Sequence, residues 1–346
     1  MKEGKQGAGE GPAPSAPDTA VFDPSSIGHD IEKLLRYSTF EPEERYWLYV
    51  DPLLNGVLGS KEKGLAYGKQ YELSGAEGAA KTSLATILAG MAQRDGAIVG
   101  RIDLEDSRDP EWDRRLGLDS SKVVEIYPKL IRPRARKAAD DGDDAEAEEP
   151  AKKKGKKKAS SLALPMLQSA EQLFTEAEVA MARIAAAGYK KQFWFLDSIA
   201  NLQTEMAGEA GNTDWNMRVN FDRALFLSRA LPKWAGLAAN YNAMIFMLNQ
   251  LRVKAQAWGD PFDSPGGKSL RHNCAIRARI RRRGELKRGT KVLGIVSIIK
   301  NVKNKAGGGS LQSLECGLRI LWGSGPMKVA FMSREEADAM FPGQKR

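Results

Sequence analysis

At 346 residues, 42% apolar and 28% charged, the chain has the balance of a globular protein, which excludes collagen-like and wholly disordered classes. No run of 18 apolar residues occurs and the first twenty residues lack an apolar signal core, so a cytoplasmic protein with no membrane partner is expected. Isolated Cys274 and Cys316, with His29 and His272 as the two histidines, speak against a disulfide framework or a zinc site. The net charge of +9 is unevenly placed: residues 271–305 hold twelve Lys or Arg against one acid, Glu285, so that stretch carries +11 and the remainder −2.

Residues 1–26 are too polar to offset their ordering entropy and are expected to form a disordered tail. In residues 27–50, Ile31, Leu34 and Leu35 share one side of a short helix, and Pro42 opens a second helical turn that runs to Tyr49. Such a segment packs either on a neighbouring protomer or on its own core. The core, residues 51–325, alternates strands at 69–74, 97–102, 123–127, 193–196 and 244–248 with helices at 81–94 and 170–187. That order indicates an α/β fold with a mostly parallel sheet, helices on both faces, and ligands at the strands' carboxyl ends. A charged insertion at 131–160, basic then acidic then basic, reads as a disordered loop or a nucleic-acid tether. Residues 326–346 form a short tail with a helix near 335–340.

Directly after the first core strand come Gly75, Ala76, Glu77, Gly78, Ala79, Ala80, Lys81, Thr82 and Ser83. This is the Walker A spacing with Ala80 in the place of the last glycine. Small residues let backbone N–H groups wrap phosphates, a helix start adds its positive end, and Lys81 reaches the β and γ oxygens while Thr82 holds Mg²⁺. Ala80 resists a positive φ, so the loop is expected to keep it elsewhere. Asp197, ending the apolar strand FWFL, is the Mg²⁺ partner.

Taken together, the blocks GAEGAAKTSL, IDLEDSRDPEWDRRLGL, FWFLDSIANL, GEAGNTDW, MLNQLRVK with DPFDSPGGKSLR, and VKNKAGG resemble the RecA recombinases in order and spacing, from about Tyr49 to Gly325. The resemblance implies a RecA-like ATPase core with an N-terminal oligomerisation segment. It makes Glu105, just past a strand expected beside the phosphate loop, the residue that activates water. Helix capping or ion pairing is the other reading of that acid cluster. By the same resemblance Asp109 and Trp112 hold adenine, Trp standing for the family's usual Tyr, and Gln250 senses the γ-phosphate at the start of the second DNA-binding loop.

That loop supplies Arg252, Lys254, Trp258, Gly266 and Gly267, and the first loop, residues 208–218, supplies Trp215 and Arg218. Aromatic and basic residues interleaved in this way suit single-stranded DNA. Alternation puts Arg277, Arg279 and Arg281 on one strand face, either solvated or in phosphate contact, and Arg281 and Arg282 match positions that meet the incoming duplex. Lys303 and Lys305 match a pair that reaches a neighbour's γ-phosphate across a subunit interface. The 21 residues after Gly325 are expected to be too few for the family's compact C-terminal domain. The whole pattern implies a DNA-dependent ATPase that uses ATP and Mg²⁺, forms helical filaments on single-stranded DNA, and exchanges strands with homologous duplex. A RecA-fold translocase or helicase and a non-hydrolysing filament accessory are the alternatives.

Overall fold

The computed structural model describes residues 45–106, 108–131, 166–205, 215–253, 262–263, 265–306, 314–323 and 326–342. The chain divides after residue 44, and the described residues all belong to the second unit. The expected tail and first helix, nearly all of the charged insertion, and the positions of Lys254 and Trp258 lie outside them.

In chain order the elements are α1 (Pro52–Leu58), β1 (Gln70–Gly75), α2 (Lys81–Arg94), β2 (Ile98–Asp103), α3 (Pro110–Leu116), β3 (Val123–Ile126), α4 (Ala170–Ala186), β4 (Gln192–Asp197), α5 (Trp215–Asn240), β5 (Ala243–Gln250), α6 (Gly267–Asn273), β6 (Ile276–Arg288), β7 (Lys291–Asn304), β8 (Glu315–Leu321), β9 (Lys328–Ser333) and α7 (Arg334–Ala339). Nine strands form one sheet in the order β9-β8-β7-β6-β1-β5-β4-β2-β3. The six from β6 to β3 run parallel, and β7, β8 and β9 extend them as an antiparallel wing.

The expected α/β fold is present. Its central strands β4 and β5 are buried along their length up to the exposed Gln250, because helices cover both faces, which is why they read as apolar runs. On one face Leu84 and Leu88 of α2 pack with Phe193, Phe195 and Phe246, and on the other Phe174 of α4 and Trp234 of α5 pack with Trp194 and Met247. Burying each such side chain is worth about 1.5–3 kcal/mol, which is what makes the central strands a rigid platform for the loops at their carboxyl ends.

Three expectations are corrected. The helical turn proposed to reach Tyr49 gives way to a short strand, Trp47–Leu48, paired with Leu65–Ala66. A helix absent from the sequence expectations, α5, buries Leu227, Leu231, Trp234 and Ala238 at helical spacing despite an internal Pro232, and it takes Trp215 and Arg218 out of the first loop into its opening turn. Finally, β2 is separated from the phosphate-loop strand β1 by β4 and β5.

Candidate functional site

The loop between β1 and α2 sits where the parallel strands end. Gly75 closes β1 under a packing constraint, since a Cβ there would lie 2.4 Å from the Ile280 carbonyl of β6. Lys81 Nζ donates to the Gly75 and Ala76 carbonyls at 3.0 and 2.9 Å, which curls the lysine over its own loop. Burial holds the Lys81 ammonium below its ordinary range, with Asp197, Glu105 and Glu77 opposing that shift. The expectation for Ala80 fails: it adopts φ 71 and ψ 31, the left-handed conformation, as the residue preceding the first turn of α2. The alanine methyl is thus carried at a backbone conformation in which glycine has no steric penalty.

Asp197 ends β4 and accepts a hydrogen bond from Thr82 Oγ1 at 2.5 Å, so the acid and the hydroxyl expected to share a cation are in contact. Burial pushes the Asp197 carboxyl up to about 6; Glu105 and Asp103 add to this, while Thr82 and Lys81 oppose it. Although two strands intervene, Glu105 reaches the same cleft because the loop after β2 bends over β4. Its Oε1 accepts from Ser198 Oγ at 2.6 Å and Asn201 Nδ2 at 3.1 Å. Asn201 carried no role in the sequence reading; its one signal is its place three residues past Ser198, in the turn Ile199–Asn201. Gln250 is exposed at the end of β5, which runs two residues beyond the expected strand and pairs Gln250 with Gly75. Glu77, Gly78, Ala80, Lys81, Thr82, Ser83, Glu105, Asp197, Asn201 and Gln250 line one polar cleft of about 620 Å³.

Other expected site residues lie elsewhere. Asp109 caps α3, accepting from the Glu111 and Trp112 amides, both at 3.0 Å. Trp112 stands edge-on to Trp322 at 5.7 Å, with Arg115 5.5 Å from its ring. Neither Asp109 nor Trp112 lines this cleft. Lys303 Nζ donates to the Arg271 and His272 carbonyls at the end of α6, and Lys305 is exposed, both away from this chain's own cleft. Arg252 lies in a short strand paired with Asp263, and Gly266 (φ 102) leads into α6, which begins at Gly267.

The arginines of β6 alternate as expected, but most are engaged. Arg277 Nε meets the buried Glu72 of β1 at 2.5 Å, and the other oxygen of Glu72 accepts from Asn249 Nδ2 at 3.1 Å. Arg283 Nε meets Asp338 of α7 at 2.6 Å. Arg281 pairs across to Ile298, on the face covered by α7, whereas Arg282 pairs to Ser297 and turns to the phosphate-loop side. These two adjacent arginines therefore serve opposite faces.

Among known families, the RecA N-terminal domain matches residues 176–326. Protein RecA of Acinetobacter baumannii is 26% identical over 265 residues, 76% of this chain and 61% of that protein. Protein RecA of Clostridium botulinum is 27% identical over 245 residues, 70% of this chain and 55% of that protein. The chain thus spans between half and two thirds of the length of these curated relatives. Among the described residues no helix is long and apolar enough to cross a membrane.

Proposed function

The chain is a divergent member of the RecA family, and from that premise we propose that it is a cytoplasmic DNA-dependent ATPase. It assembles as a filament on single-stranded DNA and pairs that strand with homologous duplex. The observation that carries this reading is the meeting of Lys81, the Thr82–Asp197 pair, Glu105 and Gln250 in one polar cleft, from four separate stretches of chain.

The cleft suits a magnesium nucleotide. Among the described residues no cluster of three or more His, Cys, Asp or Glu is placed to hold a metal ion by itself. Thr82 would hold Mg²⁺ by its hydroxyl and Asp197 would hold it through water, which suits a cation shared with phosphates. When bound, MgATP supplies the γ-phosphoryl group, and the protein's part is to position and to stabilise charge. Lys81 leaves its loop carbonyls for phosphate oxygens, Glu105 orients a water and takes its proton, and Gln250 carries the state of the γ-phosphate into the loop that starts at Leu251. Arg252, Lys254, Trp258 and Arg281 neutralise or stack on DNA.

The test mixes labelled single strands, homologous duplex, ATP and Mg²⁺ with the protein, and measures phosphate release beside joint molecules. Release stimulated by single-stranded DNA together with joint molecules is expected. Stimulated release without pairing, accompanied by directional unwinding of a forked duplex, would instead identify a translocase.

A further inference from the structure

Arg282 reaches the phosphate loop of its own chain. Its Nε donates to the Gly78 carbonyl at 2.9 Å, and its Nη1 meets Glu285 Oε1 at 2.8 Å. Gly78 has φ +65, and a Cβ added there would lie 2.6 Å from Arg282 Nη2, so the guanidinium occupies the space that a side chain at 78 would take. The contact is set by the sheet rather than by chance placement of a long side chain. Parallel pairing of β6 with β1, from Ile276 opposite Tyr71 to Ile280 opposite Gly75, brings the two strand ends out side by side. Two residues later the alternation points Arg282 to the loop.

We propose that Arg282 is a positioning residue of the nucleotide site, strengthening triphosphate binding in its own chain before any DNA is present. This rests on the nucleotide-binding reading given above and adds a role to a residue that the family resemblance assigns to DNA alone. Two physical effects act together. A peptide unit is planar, so holding the Gly78 carbonyl fixes the direction of the Ala79 N–H on its far side. That N–H turns back to the Ala76 carbonyl at a long 3.3 Å, a weak bond that a phosphate oxygen readily replaces. The guanidinium also brings a permanent positive charge to the Gly78 end of the loop, and the Lys81 ammonium of the same loop is itself disfavoured by burial. Glu285, itself paired with Lys287 at 2.9 Å, keeps the guanidinium against the loop.

The test is equilibrium binding of a fluorescent MgATP analogue without DNA, to the wild-type chain, R282Q, R282K and K287Q, with thermal midpoints measured alongside. About fivefold weaker binding is expected for R282Q, the scale of one charge-assisted contact at a partly exposed site. R282K should recover part of the loss, K287Q should bind as wild type does, and the midpoints should agree. R282Q binding as tightly as wild type, or K287Q losing as much as R282Q, overturns the proposal while leaving the nucleotide site intact. A wild-type chain that does not bind the analogue removes the nucleotide reading itself.

Discussion

Ala80 holds a left-handed backbone conformation at the entry to α2, where glycine is the residue without steric penalty. That conformation costs an L residue about 1–2 kcal/mol, while glycine gives back about 0.4–1 kcal/mol through the freedom of its unfolded chain. Ala80→Gly should therefore raise stability by up to about 1.6 kcal/mol in a denaturant titration. A loss would mean that the alanine methyl, buried at 8% exposure, contributes more by packing than the backbone costs. At Glu105 the chemistry is separable from the geometry, because an amide in its place still accepts from Ser198 and Asn201. Glu105→Gln is expected to lower DNA-stimulated phosphate release by about 10²–10⁴-fold, the usual worth of a positioned general base, with MgATP binding unchanged. Full turnover in that variant would remove Glu105 from its role.

At the scale of elements, what the sequence made legible was local. The strand, small-residue loop and helix from Gln70 to Arg94 stand within a residue or two of expectation, because period, loop composition and helix start lie within 25 consecutive residues. The alternation of β6 was equally visible, and it already implies that Arg281 and Arg282 face apart. What covers each face was not legible. Glu72 lies 205 residues from Arg277, and Asp338 lies 55 from Arg283, so no local pattern announces either pair.

The second pair has a measurable consequence for the antiparallel wing. Arg283 and Arg334 both donate to Asp338 and hold its carboxyl down to about 2 from an ordinary 3.8. A carboxyl lowered in the folded state contributes stability that is complete above its unfolded value and is lost as pH falls toward the folded one. Thermal midpoints of the wild-type chain should therefore fall between pH 4 and pH 2, and Asp338→Asn should be less stable at neutral pH with a flatter acid limb. Parallel acid limbs in the two proteins would assign the loss to other carboxylates.

For the whole molecule, the placement of Lys303 and Lys305 carries the strongest demand. Lys303 stands on β7 and Lys305 directly follows that strand; neither lines its own chain's cleft, and Lys303 is turned onto the carbonyls that end α6. If these lysines act at all in the proposed hydrolysis, they act on a neighbour's nucleotide, and a lone chain is an incomplete enzyme. Head-to-tail assembly satisfies this, because each interface joins one chain's cleft to the next chain's lysines. The consequence is complementation between two inactive proteins. Glu105→Gln keeps its lysines but lacks the base; the double variant Lys303→Ala, Lys305→Ala keeps the base but lacks the lysines. In filaments formed from an equal mixture, about one interface in four pairs an intact cleft with intact lysines, if neighbours are chosen at random. Phosphate release in the mixture should reach about a quarter of the wild-type rate on the same single-stranded DNA, while either variant alone stays near background. Additive background in the mixture, with filaments visible by electron microscopy, would place catalysis within single chains and leave the two lysines as surface residues at the end of β7.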